Sequence, residues 1–200
     1  MKSVFVSSAA VWDCERDGDA PKLDFVSPLF RRRLSKITKM SVQVVHDALE
    51  KTKCGDIKIV FSSFRGEVNR EFEINKQIIE EKSVLPASFS LSVFNAPMAQ
   101  ATMALGLKSG YTVVSSAVGR FRDAFFASCA PVLSGAEGSV LFVYADERLR
   151  EEYEALDTDG VKPLAFAVVV SSDENAGKKI DLGDIAKDIT SEDFLGLLGD

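Results

Sequence analysis

The residue types and spacing that could support covalent chemistry occur together in one stretch, YTVVSSAVGRFRDAFFASC, which spans residues 111–129. Strand-favouring residues lead into small ones and then into a helical pattern, and in α/β enzymes such a bend often displays a nucleophile. The apex of the bend holds Ser116, Ala117, Val118 and Gly119. Ser115 and Ser116 are flanked by valine and alanine, so the glycines of a G-x-S-x-G turn are missing. The stretch is either an active site or the outline of one that has lost its chemistry.

The other side chains capable of catalysis lack an evident activating neighbour. His46, the only histidine, falls within a helical pattern and precedes Asp47, which is typical of a core or surface helix residue more than of a general base. Cys129 follows Phe and Ala in a helical stretch, where thiols usually serve as packing. Cys14 and Cys54 lie in polar segments. Three widely spaced cysteines predict neither a disulfide framework nor a metal site.

No nucleotide or other cofactor is predicted, because the GxxxxGK[ST] and GxGxxG motifs are both absent. The cluster RRRLSK, with Arg31, Arg32, Arg33 and Lys36, lies early in a helical pattern, where the helix dipole disfavours cations. Most such clusters are solvated faces or pair with local carboxylates. The more specific interpretation is a docking site for an acidic partner.

The composition is that of a soluble globular protein with one domain. The 200 residues are 46% hydrophobic and 27% charged, and the net charge of −6 argues against a nucleic-acid-binding surface. No segment approaches the ~20 apolar residues that a membrane-spanning helix needs. The N-terminal apolar run is short and contains serines, which favours a first strand over a secretory signal, and we expect a cytoplasmic protein.

Short β-branched runs alternate with helical patterns, which predicts an α/β domain over residues 1–175. The helical patterns cover about 30–51, 68–81, 95–106 and a stretch from 121, with a short charged one over 147–155. Residues 176–200 are predicted to be an acidic tail or a short docking helix. Nearly continuous hydrophobicity predicts a mixed, mostly parallel sheet with helices on both faces. Its five strands lie near Val4–Ala9, Ile57–Ser62, Thr112–Ser115, Val140–Tyr144 and Leu164–Val170.

Several segments together resemble the N-terminal half of the β-ketoacyl synthases, which have the thiolase-like fold, and above all the truncated β-ketoacyl synthase-like N-terminal domain proteins. The segment SPLFRRRLSKITKMSVQVVHDAL is similar to the family's Arg-containing entry into its first long helix. FSSFRGEVN resembles its second core strand and turn, and GSVLFVYAD resembles the strand after the nucleophile helix. Residues 85–121, from LPASFSLSVFNAPMAQ to VVSSAVGRF, resemble its F-S-x-S-V-x-N-A segment and nucleophile strand. The resemblance implies a three-layer, thiolase-like half.

The resemblance also implies that catalysis has been lost. In active synthases the bend reads approximately V-S-T-A-C, and Val114 to Ala117 match its first four positions. Val118 occupies the position of the nucleophilic cysteine, and an aliphatic side chain cannot attack a thioester. The family's remaining catalytic residues, His with His or Asn, come from a C-terminal half that we do not expect here.

The resemblance implies that one strand forms a dimer interface. This strand would pair antiparallel with the same strand of a second subunit, so that the two sheets fuse. Its residues are Tyr111, Thr112, Val113, Val114 and Ser115. The alternative is that the strand lies inside its own sheet.

The resemblance also assigns roles at an acyl tunnel. Phe64 would lie near the gate of the tunnel, with Phe94 and Met98 near its wall at the dimer interface. A rigid Phe there would limit the length of the acyl chain. Ordinary core packing is the alternative role for each of them.

The function that this implies is that of a non-catalytic, chain-length-factor-like subunit. It would act with a full-length β-ketoacyl synthase, or as a homodimer, and with an acyl carrier protein in fatty-acid or polyketide biosynthesis, aryl-polyene clusters being the expected setting. The acidic carrier protein would dock on the Arg31–Arg33 cluster. Two alternatives remain open. One is a stand-alone acyl-thioester enzyme that uses Cys129, Ser115 or Ser116, and the other is a homodimeric acyl-binding protein.

Overall fold

The computed structural model of the protein describes residues 2–115, 121–156 and 162–199. Its strands there are β1 (Ser3–Val6), β2 (Ala10–Asp13), β3 (Ile59–Ser63), β4 (Tyr111–Ser115), β5 (Ser139–Asp146), β6 (Leu164–Ser171) and β7 (Lys178–Asp181). Its helices are α1 (Cys14–Asp17), α2 (Pro28–Arg31), α3 (Lys36–Thr52), α4 (Val68–Glu81), α5 (Pro86–Phe89), α6 (Ala96–Leu105), α7 (Phe121–Leu133) and α8 (Ser191–Leu198), and a 3₁₀ helix covers Glu151–Leu156.

The seven strands form one sheet in the order β4-β3-β5-β6-β1-β7, with β2 also paired to β6. β3 is parallel to β4 and to β5. β6 is antiparallel to β5, β1 and β2, and β7 is antiparallel to β1. Strands β1 to β5 therefore run in one direction, and only β6 and β7 run in the other. The predicted α/β class and mixed, mostly parallel sheet are confirmed, while the predicted number of five strands is corrected to seven.

The two additional strands have no apolar run of their own. β2 continues β1 after a β-bulge, because Val6 pairs with Val170 and Ala10 with Ala167, which places one extra residue on the β1–β2 side. At this bulge the Ser7 hydroxyl accepts a hydrogen bond from the Val169 N–H at 2.9 Å. β7 has the sequence KKID, in which only the isoleucine is buried. Because the segment is mostly polar, the sequence did not predict a strand there.

Helices cover both faces of the sheet and make three layers. Ile59 and Phe61 of β3 point to one face and pack in a core with α3 and α6. Val60, between them, points to the opposite face and packs in a second core with α7 and α8. This alternation is the period of two of a strand whose two faces are both buried. Within the described residues, no helix combines the length and the hydrophobicity needed to cross a lipid bilayer.

The C-terminal segment is built into the domain. β7 pairs along its length with β1, and α8 places Phe194, which is fully buried, in a cluster of aromatic rings. The ring centroid of Phe194 lies 4.6 Å from that of Phe125 and 5.3 Å from that of Phe121. Residues 178–198 therefore contribute an edge strand and a core side chain, and they are not loosely attached.

The predicted helix over residues 30–51 is two helices in the structure. The Ser27 side chain caps α2, whereas Ser35 caps α3 by accepting a hydrogen bond from the Thr38 N–H at 3.1 Å. The basic cluster thus spans the end of α2, with Arg31, the turn that follows it, with Arg32 and Arg33, and the first residue of α3, Lys36. The helix predicted over residues 147–155 is the 3₁₀ helix over Glu151–Leu156.

Phe194→Ala is expected to lower the free energy of unfolding by about 3–5 kcal/mol, because truncation of a fully buried Phe leaves a cavity among the neighbouring rings. Leu197 lies on the same helix but is 43% exposed. Leu197→Ala should therefore change the stability by less than about 1 kcal/mol. Urea unfolding followed by circular dichroism measures both variants. Equal losses for the two would contradict the packing described for α8.

Candidate functional site

The carboxyl ends of the parallel strands β3, β4 and β5 meet at one edge of the sheet. Ser63 pairs in register with Ser115, and Ser62 pairs with Tyr144 on the opposite side of β3. Ligand sites of open α/β sheets lie beyond such carboxyl ends. Ser115 is exposed there. The four apex residues, Ser116 to Gly119, lie outside the described residues, so the predicted degenerate bend remains a prediction.

A buried carboxylate organises the turn after β3. Asp146 is fully buried at the end of β5 and accepts hydrogen bonds from the Ser63 hydroxyl at 2.8 Å and from the N–H groups of Phe64 and Arg65, each at 2.9 Å. Burial raises the pKa of the Asp146 carboxyl, while hydrogen bonds from Tyr144 and from this turn oppose the rise. The carboxylate therefore joins the ends of two strands and fixes the backbone of Phe64.

The three predicted tunnel residues lie at this turn or in the core behind it. Gly66 has φ of +58°, and a Cβ atom there would lie 2.5 Å from Cδ2 of Phe94, so both the backbone and the close ring require glycine. The Phe94 ring centroid is 6.4 Å from that of Phe61, and Met98, on α6, is fully buried. Phe64 is half-buried and precedes Gly66 by two residues. The structure thus places Phe64 and Phe94 at one turn and Met98 in the core behind it.

Glu67 was not among the predicted site residues, yet it is only 1% exposed. Its Oε1 accepts hydrogen bonds from the hydroxyls of Ser35 and Thr38, both at 2.6 Å, and its Oε2 lies 3.5 Å from Nε of Arg70. A carboxylate at this position faces the positive end of the α3 dipole. Burial nevertheless raises the pKa of Glu67, and the two hydroxyls and Arg70 oppose that rise.

Glu147, the residue after β5, forms a second buried carboxyl beside Glu67. It is 4% exposed, and burial, with a smaller contribution from the Glu67 charge, raises its pKa from 4.5 to about 7. A hydrogen bond with the Asn69 side chain and the positive charge of Lys36 lower the pKa of Glu147 in part. Glu147 also lines a groove of about 710 Å³, whose other charged and polar walls include Arg32, Arg33, Ser35, Lys36, Asn69, Arg70, Glu73 and Glu80.

The predicted basic cluster divides into two pairs of residues. Arg31 forms an ion pair with Asp24 at 2.9 Å, and Lys36 forms one with Asp19. Arg32 and Arg33 are exposed, and among the described residues no ion pair is recorded for either guanidinium. Local carboxylates therefore occupy half of the cluster, and the two arginines on the groove wall have their charges available to a partner.

Within the described residues no histidine lies at this edge of the sheet, and burial raises the pKa of the Cys14 thiol, which directly follows β2 there. His46 is stacked on Phe25, with ring centroids 3.8 Å apart, and its Nδ1 lies 3.0 Å from a carboxylate oxygen of Asp47. Cys129 is fully buried, and burial raises the pKa of its thiol to about 12. A thiol with that pKa is inert at neutral pH. No cluster of three or more metal-ligating side chains occurs in the part of the chain that the structure describes.

β4 forms one edge of the sheet. Among the described strands it pairs only with β3. Because the Ile59 N–H donates to the Gly110 carbonyl at 3.1 Å, alternation along the strand directs the N–H groups of Tyr111 and Val113 to the outer side. The strand carries no charged residue. Unpaired, uncharged edges are the kind that pair with another chain.

The side chains of β4 are divided between its own domain and solvent. Val114, which pairs in register with Ser62, is half-buried and packs against the core of α7 and α8. Tyr111 and Val113 are also half-buried and pack against the opposite core, that of α3 and α6. The predicted dimer strand therefore uses its apolar side chains, Val114 included, for packing within the domain. Its outer backbone groups remain the part that a second subunit would pair with.

Glu147→Gln is expected to remove one source of pH-dependent stability. The native state holds the Glu147 proton more tightly than the unfolded state, so stability falls as pH rises from about 4.5 through about 7. At pH 8 the variant should be more stable than the wild type by up to about 3 kcal/mol, and at pH 4 the two should be nearly equal. Urea unfolding at both pH values measures this difference. The exposed Glu80 of the same groove supplies the control Glu80→Gln, and a pH-independent effect of Glu147→Gln would contradict the assignment.

Comparison with known proteins agrees with this geometry. The model of the β-ketoacyl synthase N-terminal domain family matches residues 7–192. No curated protein matches the sequence. Among solved structures, the fold is similar to a chain of the ketosynthase ApeO in complex with its chain length factor ApeC from Xenorhabdus doucetiae. That match has a TM-score of 0.73 and 18% identity, and it covers 88% of this chain and 81% of the other.

Two longer proteins have the same fold. The ishigamide ketosynthase/chain length factor matches with a TM-score of 0.62 and 13% identity, over 76% of this chain and 49% of that one. A β-ketoacyl synthase from Burkholderia phymatum matches with a TM-score of 0.63 and 16% identity, over 88% of this chain and 60% of that one. The chain thus spans about half to three fifths of these two. With the thiolase-like fold and the family match over residues 7–192, the chain belongs to the β-ketoacyl synthase N-terminal domain family.

Proposed function

We propose that the protein is a non-catalytic, chain-length-factor-like subunit that acts with an active β-ketoacyl synthase and an acyl carrier protein. The pathway is fatty-acid or polyketide biosynthesis, with aryl-polyene synthesis as the specific setting, and the location is the cytoplasm. The observation that carries this proposal is Val118, which the resemblance of the sequence aligns with the nucleophilic cysteine of the family's bend. Covalent acyl transfer needs a nucleophilic heteroatom, and a valine side chain has none.

The burial of Cys129 also supports a non-catalytic role. Its thiol has no access to solvent and is protonated at neutral pH, so it is a poor candidate to replace the missing cysteine. His46 is stacked on Phe25 in the middle of α3, away from the bend in sequence, and supplies no base for a serine. The stand-alone enzyme is therefore left with Ser115 and Ser116, and within the described residues no hydrogen bond joins the exposed Ser115 to a basic side chain.

A partner subunit is supported by the edge position of β4. The outward N–H groups and the uncharged strand suit the addition of a strand from another protein. The solved complexes of similar fold pair a ketosynthase with a chain length factor, which makes an active synthase our proposed partner. A second copy of this chain is the alternative partner.

Docking of an acyl carrier protein is supported by Arg32 and Arg33. Both are exposed on the wall of the groove, and neither forms an ion pair among the described residues. Carrier proteins are acidic, so two available guanidinium groups provide complementary charge and bidentate hydrogen bonds. Arg31 and Lys36 serve mainly to hold the turn through Asp24 and Asp19.

A role in chain length is supported by the turn after β3. Asp146 holds the backbone of Phe64, and the ring of Phe94 fills the space over Gly66. Rigid aromatic side chains held in this way would end an acyl tunnel at a fixed depth.

The purified protein is expected to form no covalent acyl adduct, because Val118 cannot become acylated and Cys129 is inaccessible. Incubation with a short-chain acyl thioester at neutral pH, followed by intact-mass analysis, measures this directly. An active β-ketoacyl synthase treated in parallel is the positive control. A stoichiometric adduct on Ser115 or Ser116 of this protein would reject the non-catalytic assignment in favour of the thioester enzyme.

Phe64→Ala is expected to lengthen the acyl products of the complex reconstituted from this protein, the synthase and the carrier protein, because the ring no longer limits the tunnel. Chromatography with mass spectrometry of the released acyl chains gives the readout. Phe72→Ala is the control, since Phe72 lies on α4 and its ring packs edge-on against Tyr153. Unchanged product length with Phe64→Ala, in a complex that still assembles, would reject the gate role.

A further inference from the structure

The turn between α2 and α3, which carries the exposed Arg32 and Arg33, is tied to one buried carboxylate in two ways. The Ser35 hydroxyl, which caps α3, donates to Oε1 of Glu67 at 2.6 Å. On the other side, Nε of Arg70 lies 3.5 Å from Oε2 of Glu67, and Nη2 of Arg70 donates to the Arg33 carbonyl at 2.9 Å. Glu67 and Arg70 therefore hold the backbone of the turn that presents both arginines to the groove.

One oxygen of Glu67 is incompletely satisfied. Oε2 is buried, and among the described residues no group donates a hydrogen bond to it, since the 3.5 Å to Nε of Arg70 exceeds an ordinary hydrogen-bond length. A buried carboxylate in this state depends on the positive charge of Arg70 for its stability. A further negative charge close to Glu67 is therefore costly.

Glu147 supplies that further carboxyl. It is 4% exposed, it lines the groove, and burial together with the Glu67 charge raises its pKa to about 7. The charged or ionisable side chains around Glu147 come from several elements of the fold, and they are Glu67, Asp146, Lys36, Arg65 and Cys14. The charges of Glu67 and Asp146 raise the pKa of Glu147, and that of Lys36 lowers it.

The proton of this carboxyl pair resides mainly on Glu147. Glu67 accepts two hydroxyl hydrogen bonds and faces a guanidinium group. Glu147 has a hydrogen bond with the Asn69 side chain and the attraction of Lys36, which is itself paired with Asp19. Because donors to a carboxylate favour its charged form, Glu67 keeps the charge and Glu147 keeps the proton. With its pKa at about 7, Glu147 is neutral in mildly acidic solution and negative in mildly alkaline solution.

Ionisation of Glu147 changes the charge of the groove beside Arg32 and Arg33. Five basic and four acidic side chains line the groove, Glu147 included, so the loss of its proton lowers the formal excess of positive charge from two to one. Clefts with walls of low dielectric constant focus such a change on a charged partner. An acidic partner on the two arginines is therefore attracted more weakly once Glu147 is ionised.

We propose that Glu147 is a proton-operated regulator of carrier-protein docking, with Glu67 and Arg70 as the residues that position the docking turn. The groove binds the acidic carrier protein more tightly when Glu147 is neutral and more weakly when it is ionised. The inference rests on the proposed function, because it regulates the same Arg32–Arg33 site. Since binding of the carrier and binding of the proton are coupled reciprocally, docking at neutral pH draws a proton onto Glu147.

The test titrates the full-length chain with each acyl carrier protein of its own host, one at a time, by calorimetry at pH 6 and pH 8. Repeating the titration at pH 7 in buffers that differ in ionisation enthalpy measures the protons taken up on binding. Glu147→Gln removes the regulating carboxyl, and Glu80→Gln removes an exposed carboxylate of the same groove as the matched control. Arg70→Lys keeps the positive charge but loses the planar group that contacts both Glu67 and the Arg33 carbonyl.

We expect the wild type to bind a carrier protein about 2- to 10-fold more weakly at pH 8 than at pH 6. This range corresponds to one unit charge about 10 Å from another, with an effective dielectric constant between those of water and of a protein surface. The wild type should also take up a fraction of a proton at pH 7. Glu147→Gln should abolish both effects, and Glu80→Gln should retain them. Arg70→Lys should weaken binding by a similar factor at both pH values.

The outcomes separate this inference from the proposed function. Equal pH dependence in the wild type and Glu147→Gln, with carrier binding intact, would overturn the regulation and leave the proposed function standing. Binding by the wild type without proton uptake at pH 7 would do the same, without the use of any variant. Wild-type affinity of Arg70→Lys would overturn the positioning role. Failure of the wild type to bind any carrier protein at either pH would overturn carrier docking itself, and the inference with it.

Discussion

The hydrogen bonds received by Asp146 hold the candidate site together. This one buried carboxylate, at the end of β5, accepts from a hydroxyl and two backbone N–H groups in the turn after β3. Without those donors a charge at this depth would be strongly disfavoured, and without the carboxylate the half-buried N–H groups would lose this acceptor. The mutual requirement fixes where β3 ends. Phe64, Gly66 and Glu67 take their positions from that turn.

The two cores provide the rigid frame behind this turn. On one face α3 and α6 bury the side chains of β3 and β5, and Glu67 connects the start of α3 to the turn through Ser35 and Thr38. On the other face, the rings of α7 and α8 pack together and hold the end of the chain against the sheet. The sheet edge at β4 therefore belongs to a scaffold that is packed on both faces. Such a scaffold suits the proposed role of limiting the acyl chain and binding a partner subunit.

Much of the fold followed from the sequence, because continuous apolar runs and helical periodicity are local signals. All five predicted strands exist, and α4 spans the residues 68–81 that its periodicity predicted. β2 and β7 were missed since their pairing depends on partners far along the chain: β2 is separated from β1 by a bulge opposite β6, and β7 is polar with a single buried isoleucine. The break between α2 and α3 was missed as well, although Ser35 is a good N-cap residue, because the apolar periodicity continues through it.

The candidate site was less accessible to prediction. The sequence itself shows that a G-x-S-x-G motif is absent and that the bend contains a valine. It also shows the Gly–Glu pair that follows FSSFR. The sequence does not show which side chains are buried. Glu67 and Glu147 look like ordinary surface glutamates, and only the tertiary structure removes them from water and brings their charges close enough to interact. The division of the basic cluster has the same origin, since Asp19 and Asp24 reach it from a preceding loop.

The two outer strands of the sheet differ in a way that limits how many copies can join. β7, at one end, has two exposed lysines at its start, and such charge discourages the approach of another backbone. β4, at the other end, has no charge to repel one. A sheet that admits a neighbour on one side only is closed once that side is filled. The association through β4 that we propose would therefore stop at two members, and the far side of the same sheet would block the open-ended growth that leads to fibres.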